Sequence, residues 1–141
     1  MNNFWTSWQP HILSLLRFMS GFLMLWHGTQ KLFAFPPSGQ PGGSLSALML
    51  AGGIIEFVGG VFLVFGIFTR WTAFILSGTM AVAYWMAHGL AFLNPEGPGA
   101  IGFLPIVNRG ELAALYCFVY LYLFFAGGGS WSIDNLLKKR E

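Results

Sequence analysis

An all-α membrane protein, a bundle of four transmembrane helices, is the fold class this sequence predicts, and three observations lead to it. Of the 141 residues, 55% are hydrophobic and 9% charged, where an ordinary soluble domain has about 25% charged residues. Four apolar stretches of membrane-crossing length alternate with clusters of turn-forming Pro, Gly and Asn. The few ionisable residues inside those stretches recur at helical spacing. So small a complement of solvating groups cannot coat a soluble globule, and the length suits one domain, residues 1–141.

The first span is expected over residues 12–35, ending at Pro36 and Pro37, and the second over residues 45–68. Thr69 and Arg70 leave only a tight connection to the third, residues 71–93, so the second and third should form an antiparallel hairpin. Asn94 and Pro95 end it. The fourth, residues 110–126, is the shortest and stops at Gly127, Gly128 and Gly129. The first ten residues hold no Lys or Arg and the helix after them exceeds a signal core, so the first span is expected to be retained. Four spans put both termini on one side with Arg17, Arg70, Lys138, Lys139 and Arg140, against Lys31 and Arg109 opposite. The positive-inside rule then predicts cytoplasmic termini and an outer loop at residues 38–43. Trp5, Trp8, Trp71 and Trp131 would fall at the cytoplasmic interface, where indole rings anchor helices.

Charged groups at bilayer depth cost a few kcal/mol each and therefore face the bundle or a cavity. Arg17, Ser20, Met24, His27 and Lys31 form a polar seam on the first helix. On the second, Gly52, Gly59 and Gly66 recur every seven residues beside Glu56, with Gly53 and Gly60 widening a surface that admits a neighbouring helix. Ser77, Ala81, Tyr84 and His88 make a stripe on the third, and Glu111, Leu115, Phe118 and Tyr122 one on the fourth.

His27, Lys31, Glu56, His88 and Glu111 would share the outer half of the bundle and are the candidate ligand-binding residues. Together they nearly cancel in charge yet leave donors and acceptors open, which suits a small polar head group. A Lys31–Glu56 or Lys31–Glu111 pair can equally serve only to fix helix register. Arg17 and Arg70 lie toward the other side, where Asp134 is the expected partner of one of them in a structural charge pair.

No catalytic residue can be assigned, because no nucleophile motif, phosphate loop or GxGxxG occurs. Cys117 is the single cysteine, which excludes an internal disulfide and a CxxC relay and makes a small apolar core residue its expected role. No covalent cofactor is expected. His27 and His88 are the residues a haem would use, a thin basis in four helices. No metal site is expected either, for want of ligands at i, i+4 on any helix. The small, dispersed net charge of +2 excludes a nucleic-acid partner.

Three runs carry a family resemblance. Arg17, Gly21, Phe22, His27, Gly28, Lys31 and Leu32 resemble the opening motif of the DoxX family of small four-helix membrane proteins. Gly52, Gly53, Glu56, Gly59, Gly60, Gly66, Phe68, Thr69 and Arg70 resemble its second motif, and Asn108, Gly110, Glu111, Leu112, Gly127, Gly129, Trp131, Ser132 and Asp134 its closing one. The resemblance implies an inner-membrane protein and, for some members, a place in redox systems as a subunit of a thiosulfate:quinone oxidoreductase or as a membrane partner of detoxifying enzymes. Since this chain has no cysteine pair, electrons would have to pass through a lipid-soluble carrier such as a quinone, or through a partner subunit. Two readings follow. In one the outer-half cluster binds a quinone-like ligand for a redox complex. In the other the protein is a non-enzymatic structural or assembly subunit, surrounded by lipid and joined to other membrane subunits or to copies of itself. Transport is a weaker third, because four helices are few for alternating access.

Overall fold

A computed structural model describes residues 3–37, 46–93 and 99–139, and these are helical with no strand. The all-α expectation holds. Helix α1 spans Phe4–Phe33, α2 Ala47–Phe65 and α3 Thr69–Ala87. Two 3-10 turns, Gly89–Leu93 and Gly99–Phe103, and the short α4, Pro105–Asn108, lead into α5, Glu111–Ala126, and a final α6, Ile133–Lys138. The expected outer loop at 38–43 and the breakers Asn94 and Pro95 lie outside the described residues.

The element boundaries have local causes where a cap or a glycine sits in the sequence. Ser46 starts α2 by accepting the Met49 N–H at 3.3 Å, as N-cap serines do. Gly66 ends it in the left-handed conformation, φ +70°, with its own N–H on Leu63 O and the Ile67 N–H on Phe62 O, the paired bonds of a Schellman motif. Two helices differ from expectation in their bounds. Helix α1 begins at Phe4, well before residue 12, and runs through Pro10. Helix α3 begins at Thr69 and stops at Ala87, so that residues expected to extend the third span to Leu93 form a 3-10 turn instead. Gly89 permits that break, since a Cβ there would meet the Trp85 ring at 2.6 Å.

Packing follows the glycines. Helices α1 and α2 are antiparallel and touch backbone to backbone: a Cβ on Gly28 would lie 2.4 Å from Phe57 N, and one on Gly60 2.7 Å from Leu25 N. Helices α3 and α5 form a second antiparallel pair, joined by Ser77 Oγ donating to Cys117 O at 2.8 Å. Gly59 receives Leu76 between α2 and α3. Tyr120, fully buried on α5, donates its hydroxyl to Ser20 O of α1 at 2.9 Å, so the two pairs close on a core of Met24, Leu63, Ala73, Leu76, Met80, Tyr116, Tyr120 and Leu123.

The exterior is as apolar as the core. Phe18, Phe22, Phe74, Leu115, Phe118 and Phe125 all point outward and are exposed, far more contiguous apolar surface than a monomer leaves to water. Among the described helices α2 has both the length and the apolarity to cross a membrane, with mean hydropathy 2.2, whereas the apolar α5 is shorter.

The glycine seam gives a direct test. Gly28→Ala drives a methyl into the α2 backbone and should destabilise the protein by about 1–3 kcal/mol. Gly52→Ala, with open space around the new Cβ, should be neutral or slightly stabilising. Thermal unfolding in detergent compares them, and equal melting temperatures would remove the close α1–α2 contact as a determinant of stability.

Candidate functional site

The closest helix pair also carries the buried charge. Gly53 lets α1 approach, since a Cβ there would lie 3.1 Å from Lys31 Cβ. Lys31 Nζ donates to Glu56 Oε1 at 2.5 Å, with Glu56 almost wholly buried and Lys31 about a third exposed at 32%. This is the one ion pair among the described residues. Glu56 Oε2 is buried and accepts no hydrogen bond. An ionised carboxylate has about four lone-pair sites and no donor of its own, so an oxygen without a partner in this position is an acceptor waiting for a donor.

The other expected members of the cluster divide. His27 sits one turn before Lys31 on α1, half-buried, its ring making no hydrogen bond to the described residues. His88 has other work: its Nδ1 is 2.8 Å from Asn108 O. It belongs to a network that folds the segment after α3 back onto the bundle, in which Asn108 Nδ2 donates to Gly102 O at 3.0 Å and to the Tyr84 hydroxyl, Tyr84 donates to Phe103 O, and Asn108 Oδ1 accepts the Gly110 N–H at 2.8 Å. Glu111 is exposed at the start of α5 and pairs with no described residue. The five expected ligand-binding residues are therefore not one contact cluster; Lys31 and Glu56 are joined and His27 adjoins them along α1. No three His, Cys, Asp or Glu come together among the described residues.

At the opposite end the expected charge pair is not a direct contact: among the described residues neither Arg17 nor Arg70 forms an ion pair with Asp134, although Asp134 lies near enough to act on Arg17 through its charge. Arg17, 2% exposed, donates through Nη1 to Leu63 O and Val64 O, through Nε to Gly128 O at 2.8 Å and through Nη2 to Trp131 O at 3.0 Å. Arg70 Nη1 donates to Phe124 O at 2.8 Å and Phe125 O at 2.7 Å. Asp134 accepts the Phe68 and Thr69 N–H groups at 2.8 and 2.7 Å. Each charge has gone to a helix end of opposite partial charge: arginines to the carbonyls closing α2 and α5, the aspartate to the amides opening α3. The three residues share one end of the bundle, as their positions in the sequence suggest, but their hydrogen-bond partners are backbone groups. The hint lay in Gly127, Gly128 and Gly129, which open the backbone for close approach; a Cβ on Gly129 would lie 2.3 Å from Ser14 Oγ, which accepts the Trp131 N–H at 3.0 Å.

Helices throughout the described residues, an apolar exterior and a buried ion pair are the marks of a membrane protein. The DoxX family model matches residues 12–89, a stretch that holds Arg17, Lys31, Glu56 and Arg70. Over 142 aligned residues the chain is 41% identical to an uncharacterized protein of Haemophilus influenzae, covering 99% of this chain and 100% of the relative. It is 30% identical over 139 residues to an uncharacterized membrane protein of Mycobacterium tuberculosis, covering 93% of this chain and 84% of that one. No solved structure matches it. The chain belongs to the DoxX family.

Lys31→Ala strands the buried Glu56 carboxylate and should cost on the order of 3 kcal/mol, at the lower end of the range for a broken buried pair because Lys31 is partly exposed. Replacing both residues, Lys31→Met with Glu56→Leu, should recover most of that loss in a melting experiment. A double variant no more stable than the single one would mean that the pair holds the helices by more than mutual charge compensation.

Proposed function

We propose that this protein is a four-span bundle of the inner membrane, α1, α2, α3 and α5 crossing with both termini cytoplasmic, which serves a quinone-linked redox complex as a small subunit or accessory. The ligand in this reading is a quinone-type head group bound beside the Lys31–Glu56 pair. The observation that carries it is the buried Glu56 Oε2 with no hydrogen-bond partner, next to a lysine that is still a third exposed.

The donor set suits such a group. Lys31 Nζ and a His27 N–H can donate to a carbonyl, and Glu56 Oε2 can accept from a hydroxyl, so the two forms of the carrier each find a partner. A quinone would supply the two-electron chemistry that the chain's side chains lack. What the residues themselves do is orient a ring, exclude water and take or give a proton at Glu56 Oε2 or His27. His88 and Glu111, expected as further ligands, stay outside this reading: one is engaged on Asn108 O and the other is exposed.

A second reading, a non-enzymatic assembly subunit, has its own observation in a groove of about 910 Å3 between the N-terminal part of α1 and α5, lined by Trp5, Trp8, Leu13, Leu16 and Tyr122. Such a groove offers a face to another membrane subunit.

The quinone reading predicts that Glu56→Gln and His27→Ala lower bound quinone per protein several-fold while the helical content is kept, and that His88→Ala leaves it unchanged. Extraction and mass spectrometry of gently solubilised protein measure it. Wild-type protein carrying no quinone in a stoichiometric complex would leave the assembly reading in place. The orientation is tested on a Cys117→Ala background: Lys139→Cys should react with an impermeant thiol reagent only in opened cells and Phe35→Cys in intact spheroplasts, and the reverse pattern would invert the topology.

A further inference from the structure

A second polar site lies at the Arg17 end, remote from Glu56. Between the start of α3, the glycines after α5 and helix α6 there is a cleft of about 500 Å3, lined among others by Thr69, Arg70, Trp71, Gly127, Asp134 and Lys138. Its floor holds an unmet donor. Thr69 is fully buried and its hydroxyl has no hydrogen-bond partner, although it lies close enough to Gly128 that a Cβ there would come within 2.8 Å of it.

The walls are cationic. Arg70 spends Nη1 on two carbonyls, while its Nε and Nη2 donate to no described residue; Nη2 lies over Gly127, where an added Cβ would meet it at 3.4 Å. Gly127 has φ +86° and ψ −164°, a conformation essentially restricted to glycine, so the face of the guanidinium is kept open by the backbone itself. Lys138 follows Asp134 by four residues on the same face of α6 and makes no ion pair. The carboxylate in the cleft is Asp134, whose two oxygens are both occupied by the α3 amides. Arg70 and Lys138 line the cleft against one engaged carboxylate, and Arg17 lies behind it on the carbonyl of Gly128, so the cleft is cationic. Two adjacent anionic oxygens match the free edge of the Arg70 guanidinium, the geometry an arginine fork grips.

Trp71 on the rim and Trp131 beside the cleft are both exposed, as indoles are at a membrane–water boundary. We propose that this cleft binds the phosphodiester of an anionic membrane lipid, with Arg70 Nε and Nη2 on its two free oxygens, the Thr69 hydroxyl donating from the floor and Lys138 closing the outer side. The site rests on the four-span reading above, which cysteine labelling tests separately, and it is independent of the quinone site.

The intact protein, incubated in vesicles of equal parts phosphatidylglycerol and phosphatidylcholine and then released for native mass spectrometry, reads the lipid retained. Wild type should keep phosphatidylglycerol in several-fold excess. Thr69→Val with Lys138→Gln should bring that ratio to about one, with unchanged melting temperature and unchanged quinone content, because neither lost group holds another part of the fold. Lys138→Gln alone, on an exposed helix, should give an intermediate ratio, and Lys138→Arg should retain the preference. Equal retention of the two lipids by wild type, or an unaltered ratio in the double variant, would overturn the site. Displacement of the lipid by excess inorganic phosphate would identify a free-anion site and overturn the lipid assignment.

Discussion

Every helix end leaves backbone groups that nothing within the helix can satisfy, and where water is scarce each such group costs free energy comparable to a lost hydrogen bond. That constraint organises the Arg17 end of this protein. One buried guanidinium takes the closing carbonyls of α2 and the carbonyls of Gly128 and Trp131, Arg70 takes those of α5, and Asp134 takes the opening amides of α3. Hydrogen bonds to an ionised group are about twice as strong as neutral ones. The three charges therefore act as caps: they fasten three helix ends from distant parts of the chain, together with the loop after α5, to a single level.

The consequence is an asymmetry between the two ends. At the Arg17 end the closing carbonyls of α2 and α5 and the opening amides of α3 meet charges of opposite sign, and Gly128 and Gly129 let backbone approach the Ser132 and Ser14 side chains closely. Toward the other end the polar groups are matched less completely. Lys31 neutralises Glu56 through one oxygen and leaves the other bare. A half-satisfied buried acceptor is a liability for stability alone, and it persists beside the close α1–α2 contact.

The apolar exterior and the glycine seam are two sides of one economy. Lipid offers little hydrophobic drive for helices to associate, so close van der Waals contact has to supply it. Gly21, Gly28 and Gly60 bring α1 and α2 into backbone contact, and the large aromatic side chains are released to the outside. The same closeness sets the length of the Lys31–Glu56 bridge, since a wider helix separation would pull the ammonium away from the carboxylate.

Much of this was legible in the residues themselves. Composition determined the all-α membrane class, because so few charges cannot solvate a soluble surface. Gly53 and Gly60 beside Glu56 pointed to a helix neighbour and meet α1, whereas Gly52 of the heptad series faces open space; the 3, 4 spacing of the α1 seam put Lys31 within reach of Glu56. Ser46 and Gly66 marked the ends of α2, as local caps do. What a sequence cannot display is which distant backbone a charge will choose. Asp134 and Arg17 are expected to pair because opposite charges on one side of a membrane attract, yet the hydrogen bonds of each go to the unsatisfied end of a helix up to 66 residues away. His88 read as a ligand at the right depth, and the returning segment from Gly99 to Asn108 turned it into a fastener. Periodicity and composition act along the chain and are determined by it; the satisfaction of helix ends acts across the chain, and only the tertiary structure could decide it.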